Sequence, residues 1–116
     1  MGTMDRKALA LQREIERIKE DLAALGDLRP GSLSKQYNVC GKPGCRCKAS
    51  PPEKHGPYYQ VSYTRKGRSG STFVRREQAV IVKQQLKNYA KMRQLVDRWI
   101  AVGAELSNLR LEEQRD

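Results

Sequence analysis

Between positions 40 and 55 the chain reads CGKPGCRCKASPPEKH, and this segment holds all three cysteines and the one histidine. Four, one and seven residues separate Cys40, Cys45, Cys47 and His55. Thiolates and imidazole are ligands that zinc takes in tetrahedral geometry, and three cysteines with one histidine form a known structural set. The GKPG between the first two cysteines supplies a tight turn that brings their sulfurs to one side. Gly56-Pro57 is expected to stop the chain sharply and aim His55 back at the loop. Other chemistries stay open for these thiols. They can sit unliganded in a basic loop, or join an iron–sulfur cluster, although a cluster usually wants four thiolates. Lys42, Arg46 and Lys48 would favour the thiolate and sharpen a nucleophile. A Cys–His nucleophile, however, also needs an orienting third group and an oxyanion site, and Asp27 and Glu53 are the sole acids between residues 26 and 76. The expectation is structural zinc and no enzymatic activity.

A staple of that kind suits the rest of the chain. At 116 residues, with 38% hydrophobic and 31% charged side chains, there is too little apolar material for a large core. No apolar run approaches the roughly 18 residues that a membrane span needs, so no membrane partner is expected. MGTMDRKALALQ carries no apolar block of the secretory kind. The expected compartment is the cytoplasm, where thiols stay reduced and clustered cysteines point to metal before disulfide. An odd number of cysteines also leaves no complete pairing within one chain.

The formal net charge of +10 is unevenly distributed. Residues 1–25 are neutral, with five basic and five acidic side chains, whereas residues 26–76 hold eleven basic and two acidic ones. A concentration of this kind is the footprint of a surface that meets a polyanion. Three thiolates on one zinc ion would lower that central charge by only about one unit. Lys42, Arg46 and Lys48 beside the metal ligands, Arg65, Lys66 and Arg68 in a glycine-bearing turn, and Arg75 and Arg76 beyond it are the candidate nucleic-acid contacts. DNA is favoured over RNA, since a two-stranded ribbon fits a major groove and its basic tip can track phosphates.

The elements that position these groups follow from periodicity. Ala8, Leu11, Ile15, Ile18, Leu22 and Leu25 step by three and four, a heptad seam. Gly26 fits the left-handed residue that ends a helix, and Pro30 prevents its early resumption. A short strand is expected around Tyr37 and Val39. YYQVSYT and STFV flank the turn RKGRSG and read as a hairpin. Tyr59 and Tyr63 there serve either as the hydrophobic side of a small sheet or as base-stacking platforms. Met92, Leu95, Trp99, Val102, Leu106 and Leu109 form a second seam. The predicted fold is α+β, with an N-terminal heptad helix over 1–28, a basic zinc-loop and hairpin head of two or three strands over 29–75, and a long C-terminal helix over 76–116. The two helices would make a coiled-coil-like stalk, through which a homodimer or a larger assembly is expected.

The stretches RPGSLS, CGKPGCRC and KHGPYYQVSYT, followed by the basic turn, resemble an uncharacterised family of small bacterial, archaeal and phage proteins often found near transposase and other mobile-element genes. The resemblance spans about Arg29 to Trp99 and implies a mobile-element or phage context. The hairpin-then-helix order is also similar to arm-type DNA-binding domains of phage integrases, a likeness of fold that lacks the zinc loop. These readings point to a zinc-stabilised, nucleic-acid-binding accessory or regulatory protein. The alternative is a non-enzymatic adaptor whose helices and basic head bind another protein.

Overall fold

No glycine or proline interrupts residues 3–23, and their apolar side chains recur on one face. The computed structural model, which describes residues 3–115, makes them the helix α1 (Thr3–Ala23). Positions 1, 2 and 116 of the expected terminal helices lie outside the described residues. Three strands follow, β1 (Ser32–Asn38), β2 (His55–Arg65) and β3 (Arg68–Val74), and then the 35-residue helix α2 (Ala79–Glu113). The fold is α+β, with the three-stranded antiparallel sheet in the order β1-β2-β3. It comprises two compact units. One joins the chain up to Asp27 with the part from Asn88 onward, and the other is Leu28–Lys87.

In the helical unit the two heptad seams meet. Leu11, Ile15, Val102 and Leu106 form a buried cluster against which Ala8 and Leu109 pack. The helices run antiparallel, as their ion pairs show. Lys7 reaches Glu105 at 3.3 Å, and farther along α1 Arg98 grips Glu14 with two hydrogen bonds of 2.6 and 3.1 Å. That grip by the Arg98 guanidinium holds the Glu14 carboxyl below its ordinary range. Because Arg98 is exposed and Glu14 only partly buried, the pair sets register more than it adds stability. Trp99 stands on the seam yet remains 36% exposed, its ring covered by the Lys19 ammonium at 5.5 Å. The indole is too bulky to be enclosed between two helices whose other contacts are aliphatic.

Gly26 does not adopt the left-handed conformation expected of it, since the positive-φ glycines are Gly31, Gly44, Gly56 and Gly67. α1 instead unwinds through a tighter bond from Leu25 N to Leu22 O, and Asn88 Nδ2 then holds the Asp27 carbonyl at 2.8 Å.

In the second unit, Val61 is fully enclosed. It lies opposite Leu33 on β1 and Thr72 on β3, and it packs with Val74 and Val82. Tyr59, Leu33 and Leu86 close this small core, so one sheet face is covered by the first turns of α2. Lys66 and Gly67, at φ 51° and 75°, join β2 to β3. Positive φ at both positions is what a two-residue hairpin needs to match strand twist. β1 begins at Ser32, well before the expected strand at Tyr37 and Val39, and Val39 lies outside it, half exposed. SLSKQYN has a weak pattern of its own, with Leu33 as its core anchor, so its extent is set by pairing with β2. A short 3-10 turn, Arg76–Gln78, precedes α2, where Arg75 N donates to Gln78 Oε1.

Truncating Ile15 to Ala should destabilise the protein by about 2–4 kcal/mol, the usual result of opening an aliphatic cavity. Urea unfolding would read this, and an unchanged midpoint would mean that the seam is not packed.

Candidate metal centre

The sheet itself brings the first and last ligand candidates together. Pairing of β1 with β2 sets His55 opposite Asn38, and Cys40 lies two residues beyond Asn38. The intervening loop folds back on short-range bonds. Cys45 N donates to Lys42 O, Lys48 N to Cys45 O at 3.0 Å, and Glu53 N to Arg46 O at 2.9 Å. The resulting 3-10 turn, Arg46–Lys48, carries Cys47 inward until it is 1% exposed.

The ligand atoms of Cys40, Cys45, Cys47 and His55 all lie within 4.8 Å of one another. The sulfurs of Cys40 and Cys47 are 3.6 Å apart, and Cys45 Sγ lies 3.3 Å from His55 Nε2. A tetrahedral centre with metal–sulfur bonds near 2.3 Å puts its sulfurs about 3.8 Å apart, so four donors at these separations fit one ion. The backbone N–H of Cys40 also donates to Cys47 Sγ at 3.3 Å, a bond that stabilises a thiolate. Hydrogen bonds from the Lys42 backbone, and then from the His55 and Cys45 side chains, lower the Cys40 thiol to about 6. Burial pushes Cys47 the other way. Hydrogen bonding thus favours the thiolate at Cys40, whereas the enclosed Cys47 thiol would release its proton to solvent only as a metal takes its sulfur. These four residues could bind a metal ion.

Gly56-Pro57 does not stop the chain after His55, as its composition suggested, because β2 runs straight through it. The glycine has another task, which the sequence reading missed. At φ 140°, it passes so close to β1 that a Cβ there would stand 2.7 Å from Gln36 O and 3.2 Å from Tyr37 Cα. Only a residue without a side chain lets β2 approach β1 here and deliver His55 to the cysteines.

The eight basic candidates fall into separate groups. Lys42, Arg46 and Lys48 are exposed on the metal loop, where Arg46 faces Glu53 at 3.7 Å and Lys48 Nζ donates to Lys42 O. Arg65, Lys66 and Arg68 occupy the far end of β2, about 33 Å away at the usual strand rise. There Arg65 stands directly opposite Arg68, and no acidic partner reaches any of the three among the described residues. Like charges paired across strands are unfavourable. Arg75 and Arg76 are exposed at the entry to α2. Of the two tyrosines considered as stacking platforms, Tyr59 packs into the core and Tyr63 lies on the same sheet face, 38% exposed.

The chain belongs to the family described as a domain of unknown function, DUF6788, which matches residues 9–84. The match takes in all four ligand candidates and the whole sheet. No curated protein and no solved structure matches the chain.

Cys45→Ser and His55→Ala should lower metal content and melting temperature together. Gly56→Ala should do the same although Gly56 is no ligand, because its Cβ would force β1 and β2 apart. Elemental analysis beside thermal melts tests this, and equal stability before and after chelation would contradict it.

Proposed function

We propose that this protein is a zinc-stabilised, non-enzymatic nucleic-acid-binding accessory or regulatory factor of a phage or mobile element. It contacts phosphates through the basic residues of the sheet unit, with DNA favoured, and assembles through its helices. The observation that carries this reading is the partition of charge. Leu28–Lys87 holds thirteen basic and two acidic residues, whereas the remainder of the chain holds ten and eleven. A compact unit that keeps Arg65, Lys66 and Arg68 together without an acid accepts self-repulsion, which a polyanion would relieve.

Zinc is favoured by the donor set. Three sulfurs and one imidazole make a closed tetrahedral shell of the structural kind, with no position left over for substrate. Bound there, zinc would cross-link the loop while leaving the unit strongly basic. The mobile-element setting rests on the resemblance of RPGSLS, CGKPGCRC and KHGPYYQVSYT alone. A second reading, in which the helices dock another protein, is favoured by Ile100 and Leu111, both more than half exposed on α2.

Replacing Arg65, Lys66 and Arg68 together by Gln should weaken binding to unrelated sequences alike. The dependence of log affinity on log salt should become shallower by about one unit per lost phosphate contact. Absence of binding at low salt by folded, metal-loaded protein would favour the adaptor instead.

A further inference from the structure

The sheet has a second face, and its chemistry differs from everything around it. Side chains alternate along a strand, so the partners of Val61 turn towards α2 while Tyr58, Gln60, Ser62 and Thr64 turn away. Cross-strand register adds Phe73, Ser71 and Ser69 from β3 to that outer face, with Ser32, Ser34 and Gln36 from β1. The Thr64 and Ser69 hydroxyls meet at 2.9 Å, as shared orientation requires. No charged residue lies on this face, although the unit that bears it is the basic one.

Two aromatic rings stand on it side by side. Tyr58 and Phe73 have centroids 6.5 Å apart and an interplanar angle of 48°, and they are 37% and 61% exposed. A cross-strand aromatic pair alone would explain their contact, but not the exposure of Phe73, a wholly apolar ring, on an otherwise hydroxyl-rich surface. Ser62, Thr64, Ser69 and Ser71 line an open depression on the side towards the hairpin turn. Beyond it is the hairpin turn with Lys66. Arg65 and Arg68, in register with Val61, leave the strand ends on the α2 side and reach the outer face only round the end of the hairpin. At the start of β2 is the metal loop with its own lysines and arginine. Exposed rings on a sheet, flanked by small polar groups and bounded by cations, are what unpaired bases need. The rings offer π-faces, the hydroxyls and amides offer partners for base edges, and the cations meet the backbone.

We propose that the outer face of this sheet is a stacking platform for single-stranded nucleic acid, with Tyr58 and Phe73 each taking a base. Gln60 and Gln36 lie beside the rings to read base edges, and the strand runs towards the basic turn. Duplex DNA keeps its bases stacked on each other and can use only the phosphate contacts. The proposal rests on the nucleic-acid reading above and deepens it by naming the strand state recognised.

The test uses full-length, metal-loaded protein and the variants Tyr58→Leu, Phe73→Leu and the double substitution. Leucine keeps apolar bulk at an exposed position but removes the π-face, and circular dichroism with metal content verifies folding. The probes are ten-nucleotide single strands of DNA and of RNA carrying 2-aminopurine, and a duplex of the same sequence. We expect the wild type to prefer single strands and to quench the 2-aminopurine. Each substitution should weaken single-strand binding by about 5- to 100-fold and leave duplex binding unchanged. Preference for the RNA or the DNA strand would identify the natural source of the unpaired bases. Variants that bind single strands like the wild type, or probes that bind without quenching, would overturn the platform while the phosphate reading stands. A wild type that binds none of the probes at low salt would remove both.

Discussion

The segment from Val39 to Lys54 has to leave one strand, turn several times and return in register as the next, and Cys47 is its one buried side chain. No apolar anchor offsets the entropy of ordering it. What converges inside the loop is four metal-ligand atoms within 4.8 Å. Ligand bonds of a structural zinc site are worth on the order of 10 kcal/mol, far more than the loop's few backbone hydrogen bonds. The sheet and the cluster are linked, because pairing of β1 with β2 sets His55 opposite Asn38, two residues before Cys40. Gly56 belongs to this constraint too, as the point where the two backbones come too close for a side chain.

The helical unit is held by different physics. Its seam is aliphatic, its polar faces carry paired charges, and its composition is close to neutral. The sheet unit has a core of a few valines, a loop organised by thiols and a large excess of cations. Such a division allows stability and binding to be separated. The seam residues lie in a buried cluster, whereas Arg65, Lys66 and Arg68 are exposed and outside both buried clusters. A metal would serve both ends, since it holds the loop that carries Lys42, Arg46 and Lys48 and reduces the unit's positive charge by only about one unit.

Much of this was legible in the sequence because the signals were periodic or chemically rare. The three-and-four steps of Leu11, Ile15, Val102 and Leu106 anticipated the buried seam, and the spacing of the cysteines and histidine anticipated their convergence. A turn with glycine between two β-rich runs marked the hairpin. The features that escaped are those set by tertiary pairing. β1 starts at Ser32 because β2 is there to pair with it, and its own polar residues gave no sign. Gly56 read as a chain stop, since a close approach between backbones leaves no trace in one-dimensional spacing. Tyr58 and Tyr59 are adjacent and therefore face opposite ways, but only the register with β3 brings Tyr58 together with Phe73. The left-handed cap assigned to Gly26 failed because Asn88, far along the chain, supplies a tie at Asp27 instead.

The central claim is that metal held by Cys40, Cys45, Cys47 and His55 organises the sheet unit. Amide NMR spectra of the metal-free protein, recorded as zinc is added, test it most directly. The account predicts that amides of β1, the loop and β2 gain dispersion and protection with one equivalent of zinc, while those of α1 and the distal part of α2 are folded from the start. A metal-free spectrum in which β1 and β2 are already dispersed and protected, and which zinc leaves unchanged, would contradict it.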